Sequence, residues 1–307
     1  MVSSNNAVRV RFAPSPTGYL HMGHIVSALY VWGLAKALGA KIILRIEDHD
    51  RGRCRNEYEV AIFEDLKWLG LNCDIGDAEL QKPSLFRQSD CEHFYQEALD
   101  CLIEAGYIYE CTCSRKEIAA VNDQRGKSDS ELYYTGTCRH KSFNHKSSYG
   151  LRFRVDSEKI QFLDGFLGTQ EQCPEKQCGD FLVKDRDGQW TYQFSVVVDD
   201  IRQGVNFIIR GQDILSSTAR QLLLAKALNQ KEMPFYCHHP LVYDLSGQKL
   251  SKRTFADAIS KRRTAGESPE VILREAATLI GIEGKEEKIS LGDILAWFAE
   301  KVKAQYR

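Results

Sequence analysis

Residues 8–47 constrain the fold more than any other stretch of the chain. A β-branched run, Val8 and Val10, leads into Arg11-Phe12-Ala13-Pro14-Ser15-Pro16-Thr17-Gly18. Apolar residues then continue from Ile25 to Leu38. Gly39 stops that helix, and Lys41-Ile42-Ile43-Leu44-Arg45-Ile46-Glu47 returns to strand composition. Strand, helix and strand in so short a span form a parallel crossover. The expected fold class is therefore α/β, with a doubly wound parallel nucleotide-binding sheet of Rossmann type. The crossover also sets His21-Met22-Gly23-His24 on the first helical turn. Open backbone N–H groups and the helix dipole there attract phosphate.

A second motif, Lys249-Leu250-Ser251-Lys252-Arg253, lies far downstream. A His-x-x-His pair alone is more often a metal pair or plain surface, and a lysine-rich pentapeptide alone is usually a solvated loop. Together, in this order and with the first between strand and helix, they describe imidazole and ammonium donors for a triphosphate.

These two motifs resemble the signatures of class I aminoacyl-tRNA synthetases. The run from Arg11 through His24 is similar to the glutamate-specific branch, because the glutamine-specific branch reads Pro-Glu-Pro-Asn-Gly where this chain has Pro14-Ser15-Pro16-Thr17-Gly18 preceded by Ala13. The likeness continues through Arg45 to Asp50, Thr191-Tyr192, Val198-Asp199-Asp200 and Ile209-Arg210-Gly211 to the lysine motif, and covers about the first 255 residues. It implies an ATP site of His21, Gly23, His24, Lys249, Ser251 and Lys252, with His21, His24, Lys249 and Lys252 acting on the phosphates and Mg²⁺ accompanying ATP. It implies a glutamate site of Arg11, Ala13, Ser15, Glu47, Tyr192 and Arg210. Arginine suits a carboxylate through its planar fork, and Glu47 is the anion for the substrate ammonium. Without the motif, a structural ion pair would be the simpler reading of Arg11 and Glu47.

Cys111-Thr112-Cys113 and Cys138 offer three thiolates with C-x-C spacing, enough for a tetrahedral Zn²⁺ if a fourth ligand is found. The resemblance puts Tyr134 in that place. His140, Tyr133 and the Cys173, Cys178 pair compete for it, histidine being the more usual zinc ligand. With all four positions filled by protein, the zinc would be structural.

The remaining composition narrows the setting. Among 307 residues, 41 Lys and Arg face 42 Asp and Glu for a net charge of −1, so a nucleic-acid partner must rely on local basic patches. Candidates are Lys249 to Arg253 with Lys261-Arg262-Arg263, and Arg139 to Lys146, although a solvated face is the simpler reading of each alone. No early stretch reads as a signal peptide, no apolar run approaches a membrane span, and ten cysteines fit a reducing compartment. A cytoplasmic chain with no membrane contact, working as a monomer, is expected.

Four segments follow. Residues 1–106 and 191–255 form the two halves of the nucleotide-binding domain. Residues 107–190 form a zinc-bearing insertion. Residues 256–307 form a short helical segment, with Ser268-Pro269 opening one helix, Gly281 ending it, and a second helix over 291–303. Other expected elements are helices over 56–69, 89–105 and 213–228, and strands over 151–155, 160–166, 181–184 and 205–210.

Two short helices fall short of an anticodon-binding domain, so the chain is similar to the truncated branch of the family, the glutamyl-queuosine tRNA(Asp) synthetases. That likeness implies tRNA-independent activation of L-glutamate by ATP, then transfer to the cyclopentene-diol of queuosine at the wobble position of tRNA(Asp). The alternatives are a truncated glutamyl-tRNA synthetase charging a tRNA 3′ end and a tRNA-binding paralogue without catalysis.

Overall fold

The computed structural model describes residues 7–76, 83–124, 132–141, 148–242, 258–282 and 289–305. In chain order these form β1 (Arg9–Phe12), α1 (Met22–Leu38), β2 (Lys41–Leu44), α2 (Asn56–Trp68), α3 (Glu92–Glu104), β3 (Ile108–Cys111), α4 (Arg115–Gln124), β4 (Gly150–Phe153), β5 (Ile160–Asp164), β6 (Gly168–Gln172), α5 (Pro174–Gln177), β7 (Leu182–Lys184), α6 (Tyr192–Arg202), β8 (Phe207–Gly211), α7 (Thr218–Ala227), β9 (Phe235–His239), α8 (Ile259–Thr264), α9 (Pro269–Leu279) and α10 (Leu291–Gln305). They fall into two compact units. The first takes Met1–Cys91, Gly204–Asp213 and Pro234–Arg307, and the second Glu92–Gln203 and Ile214–Met233.

In the first unit β1 and β2 pair in parallel, with Val10 opposite Ile42 and Phe12 opposite Leu44. The pairing continues past the regular strands. Arg45 N–H donates to Phe12 O at 3.0 Å, Glu47 N–H to Pro14 O at 3.1 Å and Arg55 N–H to Pro16 O at 3.0 Å. The expected second strand, 41–47, thus ends early as regular strand at Leu44, and Ile46 bridges to Arg87 instead. β8 and β9 are also parallel, Arg210 standing opposite His238. Asn206 joins the two pairs, its side-chain oxygen accepting from Arg9 N–H at 2.9 Å and its own N–H donating to Arg9 O at 3.2 Å.

Helix α1 is apolar nearly all round, with Ile25, Val26, Ala28, Leu29, Val31 and Trp32 buried, so it needs cover beyond the strands. The C-terminal helices supply it. Ile272, Ala276, Ile294 and Phe298 join the same core, and Phe298 lies so close over Gly33 that a Cβ there would collide with its ring. Ser268 and Pro269 open α9 as expected, although the Ser268 side chain makes no capping bond. Arg263 reaches Glu64 at 2.7 Å and Asp65 at 3.0 Å, and Arg262 reaches Glu267 and Glu275. Two members of the candidate basic patch are therefore committed to ion pairs that fix α8.

The second unit carries the antiparallel order β3-β4-β7 and the β5–β6 hairpin. The strand expected over 160–166 stops at Asp164, whose Oδ1 accepts from Phe166 N at 3.0 Å and Leu167 N at 3.1 Å to make the turn. Trp190 stacks on Phe194 of α6, Tyr95 meets both rings at a tilt, and Tyr95 donates its hydroxyl to Asp199 at 3.0 Å. The helix expected over 213–228 starts as a 3-10 turn, Gln212–Ser217, and is α-helical over Thr218–Ala227. No described helix is long and apolar enough to cross a membrane.

Candidate active site

His21 is the N-cap of α1, in extended conformation, and His24 is its third helical residue. His21 Nδ1 accepts from Gly23 N–H at 3.1 Å, while His24 Nδ1 accepts from His21 N–H at 3.1 Å. Two imidazoles thus play the parts of the serine and glutamate in a capping box. The consequence is chemical. Each neutral ring that accepts through Nδ1 carries its proton on Nε2, which makes Nε2 a donor of the kind a phosphate oxygen needs. The ring centroids are 3.9 Å apart, so both donors serve one small region at the helix N-terminus.

Lys249, Ser251 and Lys252 lie outside the described residues. The residues flanking them are tied to α1 and its entry. His239 stacks on Tyr30 with centroids 4.6 Å apart, and its Nε2 is 3.2 Å from Ser27 Oγ. Burial holds the His239 pKa below its ordinary value, which favours the neutral ring. After the motif, Ile259 N–H donates to Leu20 O at 2.9 Å, next to His21.

Arg11, Glu47 and Arg210 are all buried, at 4%, 6% and 5% exposure. They stand at the carboxyl ends of β1, β2 and β8, the end at which open parallel sheets bind ligands. Arg11 Nη1 donates to Ile209 O at 3.2 Å. Glu47 does not pair with Arg11. Its Oε1 accepts from Arg45, at 3.0 Å from Nη2 and 3.3 Å from Nε. Arg45 was not among the expected site residues, yet the period-two alternation of a strand puts it on the same side as Glu47. Arg210 Nε donates to His238 Nε2 at 2.9 Å, a partnership across strands that no local pattern announces. Ala13 and Ser15 are half-buried on the loop that receives the Glu47 N–H. Ser15 also hydrogen-bonds Cys54, whose thiol is pushed up to about 11 by burial and then by Asp48. Tyr192 belongs to the second unit, as the first residue of α6 after the N-cap Thr191.

In the second unit Cys111, Cys113 and Cys138 bring their sulfurs within 4.8 Å of one another. Tyr134 joins them, its hydroxyl 3.3 Å from Cys111 Sγ and 3.9 Å from Cys113 Sγ. A tetrahedral zinc with Zn–S near 2.3 Å and Zn–O near 2.0 Å sets roughly 3.8 Å between sulfurs and roughly 3.5 Å from sulfur to oxygen. Cys113 and Cys138, 3.6 Å apart, and the two tyrosine distances fit that geometry. Burial would raise the Cys138 thiol, but hydrogen bonds from the Thr112 backbone, Tyr134 and the two other cysteines bring it down to about 7. Two of the competing ligands are turned outward or engaged elsewhere: His140 is exposed, and Cys178 donates to Pro174 O and Gly179 O. Cys173 caps α5 outside the cluster.

Residues 7–303 match the family described as tRNA synthetases class I (E and Q), catalytic domain. The chain belongs to that family. It is thus an enzyme of the ligase type, and class I synthetases use ATP with Mg²⁺. A relative from Cupriavidus metallidurans named Glutamyl-Q tRNA(Asp) synthetase is 40% identical over 294 residues, which cover 95% of this chain and 88% of the relative. A Glutamate--tRNA ligase from Citrifermentans bemidjiense is 36% identical over 294 residues, covering 95% of this chain but 61% of the ligase. The crystal structure of a glutamate tRNA ligase from Elizabethkingia meningosepticum in complex with its amino acid superposes with a TM-score of 0.78 at 26% identity, covering 98% of this chain and 70% of that one. The α/β synthetase fold with parallel strands therefore stands. The cysteine cluster of the insertion is present as a metal-capable group.

Proposed function

We propose that this synthetase activates L-glutamate with ATP, without tRNA, and transfers it to the cyclopentene-diol of queuosine in tRNA(Asp). The observation that carries the glutamate reading is the set of two buried guanidinium groups, Arg11 and Arg210, and one buried carboxylate, Glu47, at the carboxyl ends of one unit's parallel strands. A substrate with two carboxylates and one ammonium is their charge complement. Ala13 and Ser15 line the same loop.

In the first step a glutamate carboxylate oxygen attacks the α-phosphorus of ATP, and the bond to pyrophosphate breaks. His21 and His24 donate through Nε2 to phosphate oxygens, and Lys249 and Lys252 add cationic donors as charge moves onto the leaving group. Gly23 and Ser251 border the same phosphates. In the second step a queuosine hydroxyl attacks the glutamyl carbonyl and AMP leaves. The acceptor is supported by the relatives named Glutamyl-Q tRNA(Asp) synthetase, of which this chain covers 88% and 91% in two cases. Cys111, Cys113, Tyr134 and Cys138 would hold one zinc ion, which would cross-link two loops; with four protein ligands it leaves no open position for chemistry.

A second reading, glutamylation of a tRNA 3′ end, is favoured by the similarity to glutamate–tRNA ligases. Incubation with ATP, labelled glutamate and tRNA(Asp) with and without queuosine separates the two. Label should enter only the queuosine-bearing tRNA. Equal labelling of the queuosine-free tRNA would overturn the proposed acceptor.

A further inference from the structure

Tyrosine is an uncommon companion for three zinc-capable cysteines, and the side chain packed on the Tyr134 ring gives it a physical basis. The guanidinium carbon of Arg152 stands 3.6 Å from the centre of that ring, over its face. Both side chains are buried, at 5% and 3% exposure. Arg152 Nη1 donates to Asp180 O at 2.6 Å, which anchors the fork. The Asp180 carboxylate serves the Tyr109 hydroxyl and the Val155 N–H, each at 2.7 Å.

Strand register brings these groups together. β3 and β4 pair Cys111 with Gly150 and Tyr109 with Arg152, so Arg152 and Cys111 share one face of the sheet. Tyr134 arrives from its own loop, where its N–H donates to Cys178 O at 2.9 Å and the Asn122 side chain holds both backbone groups of Tyr133. At the far end of the ring the hydroxyl oxygen accepts from Cys138 N–H at 2.9 Å. The tyrosine is thus held at its backbone, its face and its oxygen.

Charge gives the arginine its part. Zinc bound by three thiolates and a tyrosine oxygen carries one more negative charge than zinc bound by three thiolates and a neutral histidine. Excess charge in a buried site needs an opposite charge close by. A guanidinium stacked on the aromatic face supplies one without occupying the oxygen.

We propose that Arg152 is a positioning residue for the metal site, holding the Tyr134 ring by its face and balancing the anionic centre so that tyrosine can serve as the fourth ligand. The proposal rests on the reading of Cys111, Cys113, Tyr134 and Cys138 as a zinc site.

The test uses the whole chain, with zinc affinity measured by competition against a chromophoric chelator and thermal melting of each metal-free variant. Arg152→Met should weaken zinc binding about 10- to 100-fold, the range for residues that orient a metal ligand. The same change should cost much less in Tyr134→Phe, which lacks the ligand, and in Tyr134→His, which supplies a neutral one. Arg152→Lys keeps the charge without the flat fork and should weaken binding less than Arg152→Met; it carries the same comparison if the methionine variant melts early. Loss of affinity by one factor in all three backgrounds would mark Arg152 as merely structural and overturn the proposal, as would unchanged affinity in both Arg152 variants. Two further outcomes separate the levels. If the unaltered chain binds no zinc, the zinc reading falls and the proposal with it; if Tyr134→Phe weakens binding while the Arg152 variants are silent, only the role of Arg152 falls.

Discussion

The imidazole of His24 accepts the backbone N–H of His21 at 3.1 Å, so the residue offered to phosphate is also a cap of the helix that carries it. Structure and chemistry can be separated by substitution. His24→Ala should lose the cap, costing about 1 kcal/mol, and should also lose most pyrophosphate exchange. His24→Gln keeps an acceptor of capping-box type and should recover the melting temperature without recovering exchange. Equal recovery of both would remove His24 from the phosphate site.

Glu47 carries a similar double duty. Its partner Arg45 is fully buried, so Glu47→Ala removes a carboxylate that this guanidinium bonds twice and should destabilise the fold by about 3 kcal/mol in urea titrations. Glu47→Gln leaves a side-chain oxygen for Arg45 and should be milder in stability, yet should weaken glutamate binding as severely as the alanine. A Glu47→Gln protein that binds glutamate normally would leave Glu47 as a purely structural ion pair.

The crossover was legible because its signals are local. Apolar spacing marks α1, and Gly39, at φ of 64°, accepts the left-handed conformation that ends it. Arg11, Glu47 and Arg210 were legible through motif context. Their partners were not, since Glu47 bonds Arg45 and His238 lies 28 residues from Arg210. Arg262 and Arg263 read as surface charge for the same reason. Their neutralising residues include Glu64 and Asp65, on a helix far away in sequence. Strand ends were lost where one side chain rewrites the turn, as Asp164 does for β5.

The cysteine cluster makes a stoichiometric prediction. Metal analysis should find one zinc per chain, and Cys138→Ser should lower it because three ligands hold zinc less tightly than four. Cys173→Ser should leave the content unchanged, as Cys173 stands outside the group. Zinc loss in Cys173→Ser with retention in Cys138→Ser would move the site. Chelation should lower the melting temperature of the intact chain and have little effect on Cys138→Ser.

Asp65 predicts a pH dependence with an unusual sign. Its side chain is fully buried, Oδ1 meets Arg263 at 3.0 Å, and Oδ2 has no hydrogen-bond partner among the described residues. Burial, which Arg263 only partly offsets and Glu64 augments, raises its carboxyl to about 6. An unfolded aspartate titrates near about 3.9. Between those values the folded chain holds a proton that the unfolded chain has released, so this group stabilises the fold more as pH falls. The contribution is complete below about 4, disappears as pH rises through about 6, and amounts to about 3 kcal/mol. Most carboxylates in ion pairs act in the opposite direction, so total stability hides the effect. Subtracting the unfolding free energy of Asp65→Asn from that of the unaltered protein isolates it, because the other groups titrate alike in both. The difference should shift in favour of the unaltered protein from pH 7 to pH 4.5, chiefly below about pH 6. A flat difference, or one moving the other way, would mean that Arg263 fully compensates the buried charge.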